Sequence, residues 1–167
     1  VLDLGGTNIT VFNIKDNGKL TINDSKPTTE HKFKVDDNGL WILDAEGTKT
    51  VKGGVITGGS ATGNGGAISV GSTSTLTLNG GNIVGNTATQ SGGGVCNKGT
   101  FTMKDGAISD NTAAEGSHLY NAAGATAEIA WNGSVLFSGE TEDTSTVVNK
   151  GTMYLAAEEG QSITFHN

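Results

Sequence analysis

At 167 residues, with a formal net charge of −7, a sequence pI near 4.8 and no arginine, the chain lacks the basic footprint that nucleic acids or anionic membrane surfaces require. Hydrophobic residues make up 34% and aromatics 5%, thin for a single globular core, while 27 glycines against one proline fit many tight turns between short strands. The lone cysteine, Cys96, excludes an internal disulfide and reads as a small residue beside a strand, and no apolar run approaches the roughly 20 residues of a membrane helix.

No basic and apolar leader opens the chain, and Val1-Leu2-Asp3-Leu4 already alternates like a strand. The chain therefore reads as a segment of a larger protein whose leader and anchor lie elsewhere. Strands are predicted at 9–12 and 20–22, joined by the turn Asp16-Asn17-Gly18. After Pro27, apolar alternation flanks the turn Asp36-Asp37-Asn38-Gly39, which predicts a β-hairpin near residues 30–44 projecting from the body. Residues 1–50 thus read as N-terminal coils with a hairpin insertion, and 51–167 as regular β-helix repeats of one continuous solenoid domain.

From Val51 onward a unit of roughly 25 to 28 residues recurs, and such self-similarity marks a solenoid, because one unit cannot bury its apolar face without a stacked neighbour. Helix is excluded there by the glycines and β-branched residues that interrupt every three-to-four spacing. Three short strands per unit predict an all-β, right-handed parallel β-helix of about six coils, each rising roughly 4.8 Å, in a rod about 30 Å long. Three inward stacks are expected: Ile56, Ile83, Ile108 and Val135; Ala67, Val95, Leu119 and Val147; Leu78, Met103, Ile129 and Leu155.

Polar residues align as well. Asn86 and Asn111 share one repeat position, and Asn97, Asn121 and Asn149 share another; both sets read as asparagine ladders holding turns, since asparagine tolerates left-handed geometry and its amide can bond to the coils above and below. Outward threonines at Thr75, Thr77, Thr100, Thr102 and Thr152 have the look of a water-ordering face. Glu128 and Tyr154 break that register, which leaves plain strand propensity as the reading.

Catalysis on a β-helix needs carboxylates from adjacent coils brought close, either to hold Ca²⁺ or to act as acid and base. Residues 51–104 contain no Asp or Glu, Asp105 and Asp110 align with Gly80 and Gly85 one coil earlier, and the arginine that could serve as a lyase base is absent. Lys98 and Lys150 share a position but face Ala122 between them, as solvated turn lysines would. His31, His118 and His166 are not paired at metal-ligand spacing, and Ser117 and His118, adjacent on a strand, point to opposite faces. The Asp36-Asp37-Asn38-Gly39 turn lacks the alternating ligand order of a calcium loop, and no glycine cluster opens a helix that could cradle phosphate. No catalytic residue, metal site or cofactor is expected.

The segments 80–88 and 99–113 resemble the repeat of bacterial cell-surface proteins with a pectin-lyase-like right-handed β-helix, and Gly65-Gly66-Ala67-Ile68 resembles the GGAI motif of polymorphic outer-membrane adhesins, without its companion FxxN motif. This resemblance covers about two thirds of the chain. It implies an extracellular, secreted or cell-surface, adhesin-like module that is non-catalytic and serves as a stalk or as a surface for carbohydrate or a host surface protein. Candidate ligand residues are Trp41, Tyr120 and Tyr154, because aromatic faces stack on sugar rings; the other reading of Trp41 is a hydrophobic lid over a coil. Two alternatives stand beside this: part of a polysaccharide lyase or glycoside hydrolase with its active coils elsewhere, and a filament subunit that associates end to end through open strand edges. Membrane insertion and nucleic-acid binding are not expected of this segment.

Overall fold

The computed structural model describes residues 2–3, 8–9, 12–131, 136–138 and 146–157. Among them there are strands and turns and no helix. Three large parallel sheets run along one axis, with a short parallel pair, Ser60–Ala61 and Thr87–Ala88, beside them. The first contains Leu2–Asp3, Lys19–Asn23, Thr75–Leu78, Thr100–Met103, Thr126–Trp131 and Thr152–Ala157; the second Phe12–Ile14, Ile68–Val70, Val95–Asn97, Leu119–Asn121 and Val147–Asn149; the third Asn8–Ile9, Val55–Ile56, Asn82–Val84, Ala107–Ser109 and Leu136–Ser138. The chain visits the second, first and third sheets in turn and then repeats, which is a parallel β-solenoid.

About three turns of this solenoid are regular, rather than the six expected. The turns covering 68–84, 95–109 and 119–138 each place one strand in all three sheets. The turn before them, starting at Phe12, is opened by a long excursion between Asn23 and Val55, and the outermost rungs are described in only two sheets each. Counting apolar positions along the chain does not separate a regular turn from an opened one, so the expected number was too large.

Alternation drives the inward stacks, because every second strand residue faces the axis. In the first sheet Ile22, Leu78, Met103 and Ile129 lie in register and are buried. Leu155 continues that column at 41% exposure. In the third, Ile56, Ile83 and Ile108 are fully buried in register, and the position opposite Ile108 belongs to Phe137 rather than to Val135, which lies outside the described residues. In the second, Val95 and Leu119 stack on Ile68, not on Ala67. Ala67 instead sits at the corner, where its N–H is shared between the carbonyls of Gly93 and Gly94. The corner must stay narrow: a methyl group on Gly66 would collide with the Gly93 carbonyl, and one on Gly93 with that of Thr112. Each buried aliphatic side chain contributes roughly 1.5–3 kcal/mol, so the stacked columns rather than any single contact hold the rod together.

In place of a projecting hairpin, the excursion forms a three-stranded antiparallel sheet lying on the solenoid. Glu30–Val35 pairs with Trp41–Leu43 on one side and with Lys49–Lys52 on the other. Phe33 and Trp41, their rings 5.7 Å apart, are buried with Val55 and Val84 in a second apolar cluster on the outer surface of the third sheet. A sheet with an apolar face must cover it, and the outward Val55 and Val84 supply the matching surface.

The corner after the third sheet explains the seat. Gly85 and Asp110 occupy equivalent positions in consecutive turns, both with left-handed backbone, φ 63° and 51°. At Gly85 the missing side chain admits the Trp41 ring, and a methyl group there would overlap Cγ and Cδ1 of that ring. One turn on, the Asp110 carboxylate lies 3.8 Å from Lys49 Nζ, which in turn sits 5.6 Å from the centroid of the Trp41 ring. Aspartate is among the few side chains that accept this backbone conformation, so the same turn serves as a socket in one coil and as an ionic partner in the next.

Two surface carboxylates brace the inserted sheet. The N–H groups of Leu40 and Asn38 hold the Asp36 carboxyl below its usual range, and Lys34, 2.8 Å away, with the Glu46 N–H does the same for Asp44. A carboxyl depressed in the folded state contributes stability above its ordinary pKa and loses it as pH falls through the folded value. Acidification is thus expected to loosen the inserted sheet before the solenoid, which rests on neutral amides and aliphatics. In a Trp131→Phe background, Trp41 emission should shift to the red at a higher pH than the loss of far-UV dichroism; coincident transitions would contradict this.

Candidate functional site

The aligned asparagines are consumed by the fold. Asn86 and Asn111 are fully buried, and Asn86 Nδ2 donates to Asn111 Oδ1 at 2.9 Å and to the carbonyls of Ile56 and Val84 at 3.0 Å. In the other series Asn97 Nδ2 donates to Asn121 Oδ1 at 2.7 Å, and Asn121 Nδ2 to Asn149 Oδ1 at 2.8 Å. Buried amides of this kind lock adjacent turns in register and leave nothing for a ligand.

The three candidate aromatics are scattered. Trp41, 7% exposed, is folded under the inserted sheet as a lid on Gly85, so its face is occupied. Tyr120 is half-buried on the second sheet, with Lys150 Nζ 5.1 Å from its ring centroid and bonded to Glu115 at 2.9 Å. Glu115 and then Tyr120 raise the Lys150 pKa. Tyr154 is 60% exposed on the first sheet, in register with Glu128. The structure does not bring these rings together.

Register also settles the threonine face. Thr75, Thr100, Thr126 and Thr152 form one unbroken outward column, to which Thr126 is an addition; the neighbouring column runs Thr77, Thr102, Glu128, Tyr154. Burial pushes the Cys96 thiol pKa up, the opposite of what a nucleophilic thiol needs. His118 is fully buried, His31 lies in the inserted sheet, and His166 is outside the described residues. Among the described residues, no three His, Cys, Asp or Glu side chains are grouped so as to hold a metal ion.

One arrangement was not legible from repeat alignment. Where the excursion leaves and rejoins the solenoid, its two feet wall a groove of about 280 Å³ over the corner between the first and third sheets. Asp24 clips the feet together, its Oδ1 accepting from Lys26 N at 3.0 Å and its Oδ2 from Gly54 N at 2.7 Å. Asp105 lines the same groove. Asp24 lies two turns before Asp105 at the same repeat position, with Gly80 between them, but it precedes the excursion, and alignment of the body from Val51 onward compared Asp105 only with neighbouring coils.

No protein-family model matches the chain, and neither a curated protein nor a solved structure matches it. No helix among the described residues is long and apolar enough to cross a membrane.

Proposed function

We propose that the chain is a non-catalytic, right-handed β-solenoid module of a secreted or cell-surface bacterial protein, an adhesin-like stalk that presents a binding surface for glycan or a host surface protein. The observation that carries this reading is the clasped insert. A rod whose turns are tied by buried amide ladders bears a second sheet seated through Trp41 on Gly85 and Lys49 on Asp110, and a rigid rod with a fixed lateral feature suits display at a distance from an anchor. The residues that recur in register are aliphatic, asparagine and threonine, which build a scaffold. The exposed ring of Tyr154 and the half-buried ring of Tyr120 remain for recognition, whereas Trp41 acts in support.

Immobilised neutral and acidic glycans, mucin and host surface proteins should retain the chain with no release of cleaved product, and the double variant Tyr120→Ala/Tyr154→Ala should weaken retention severalfold with an unchanged melting temperature. Turnover of any pectic or mucin glycan by the chain would overturn the proposal in favour of an enzyme. Failure to bind anything on the panel would overturn its adhesive half.

A further inference from the structure

We infer that the groove at the root of the inserted sheet is a binding subsite for one uncharged sugar unit of a glycan. The inference rests on the glycan-binding reading above and places it away from the tyrosines. The floor is Gly81 and Gly106, stacked in successive turns so closely that a methyl group on Gly106 would overlap the Gly81 carbonyl; no side chain can rise from it. The excursion contributes Pro27 and Lys52 to the lining, and the solenoid corner contributes Asp105. At about 280 Å³ the space lies at the small end of ligand pockets, suited to a single ring rather than to a larger ligand.

The groove's polar groups divide into fixed and unspent ones. Asp24 is committed to the clip, and Asn82 Nδ2 to the carbonyls of Lys52 and Gly54 at 2.8 and 3.3 Å, so both hold the feet in place and make the groove rigid before any ligand arrives. Asp105 uses one oxygen on its neighbour, Gly106 N, at 2.7 Å, and its other oxygen has no partner among the described residues. Lys52 has no ion-pair partner among the described residues either. An acceptor from the solenoid and a donor from the excursion in one groove, above a floor of bare backbone, is the chemistry that reads vicinal hydroxyls: one hydroxyl donates to Asp105, its neighbour accepts from Lys52, and the flat C–H face lies on Pro27 and the glycines. Two carboxylates against one ammonium in the lining disfavour an acidic sugar.

The test uses the whole chain and trisaccharides of glucose, galactose and mannose, with a galacturonate trisaccharide for comparison. Binding is followed through the amide resonances of Gly80, Gly81 and Gly106 and by calorimetry. At least one neutral trisaccharide should shift those three glycine signals, the galacturonate should not, and Asp105→Ala and Lys52→Ala should each weaken binding about tenfold or more, while Tyr120→Ala/Tyr154→Ala leaves the glycine shifts in place. Both substituted side chains are on the surface, and an unchanged melting temperature confirms that the groove is intact. Neutral-sugar binding that ignores Asp105→Ala and moves other resonances overturns the subsite and leaves the glycan reading standing; stronger binding of the galacturonate overturns it as well, and no binding of any trisaccharide overturns both.

Discussion

Replacing Gly85 by alanine is expected to destabilise the protein by about 2–5 kcal/mol, from a left-handed backbone penalty plus overpacking against a buried indole. The Cβ would overlap the Trp41 ring, and the corner cannot move away because Asn86, the next residue, is bonded to the turns on both sides of its own. Trp41 must therefore leave its seat, and with it the contacts of Phe33, Val55 and Val84. Trp41→Ala alone should cost about 3–5 kcal/mol as a buried aromatic deletion. The two changes should be strongly non-additive. Once the ring is gone, Gly85→Ala pays only the backbone term, so the double variant should lie well above the sum of the singles in stability. Denaturant unfolding of the four proteins measures the coupling. Additive effects would mean that Trp41 does not rest on Gly85.

The signal for this contact was present in the sequence in a form that alignment alone does not decode. Gly-Asn-Thr-Ala at 85–88 and Asp-Asn-Thr-Ala at 110–113 differ only at their first residue, and that difference marks where Trp41 and Lys49 land. A partner 44 residues away in sequence order, such as Trp41 for Gly85, has no period to betray it. Periodic features fared better. The columns through Ile83, Val95 and Leu78 were legible because alternation and the repeat each name the same residues, and the asparagine series because stacked turns place like side chains over like. The errors fall where the repeat is uneven. The interval from Ile108 to Phe137 is longer than that from Ile83 to Ile108, so counting forward stopped early at Val135. Ala67 precedes the true stacking residue, Ile68, because the run of glycines before it offers no apolar marker of where the strand begins. The groove at Asp24 and Asp105 was hidden for a related reason: the excursion stretches the step from Asp24 to Gly80 to 56 residues, against 25 from Gly80 to Asp105, so their shared position has no constant period in the sequence.

Asn86 offers the sharpest test of what holds the turns in register. Its Oδ1 accepts from Gly59 N at 2.9 Å, its Nδ2 donates to Ile56 O, Val84 O and Asn111 Oδ1, and its own N–H donates to Asn111 Oδ1 at 2.9 Å. Asn86→Ala removes the first four of these bonds in a site closed to water and leaves the buried Gly59 N–H without an acceptor, which should cost roughly 3–5 kcal/mol, since each unsatisfied buried group costs about 1–3 kcal/mol. Asn86→Asp isolates the donor half. The replacement keeps an acceptor for Gly59, but its second oxygen now faces three acceptor oxygens with no proton between them. Burial and those neighbours disfavour the charged carboxylate, raising its folded-state pKa above the unfolded value. Below the unfolded pKa both states carry the proton and the penalty is smallest; as pH rises past it, the unfolded state ionises first and stability falls. Asn86→Asp should therefore be more stable in mild acid than at neutral pH, opposite in sign to the acid-labile brace of Asp36 and Asp44 on the inserted sheet. Equilibrium unfolding at the two pH values, read through far-UV dichroism, separates the cases. A variant whose stability is flat or rises toward neutrality would show that Nδ2 of Asn86 is not what ties the three turns together, and the solenoid's rigidity would then rest on its aliphatic columns alone.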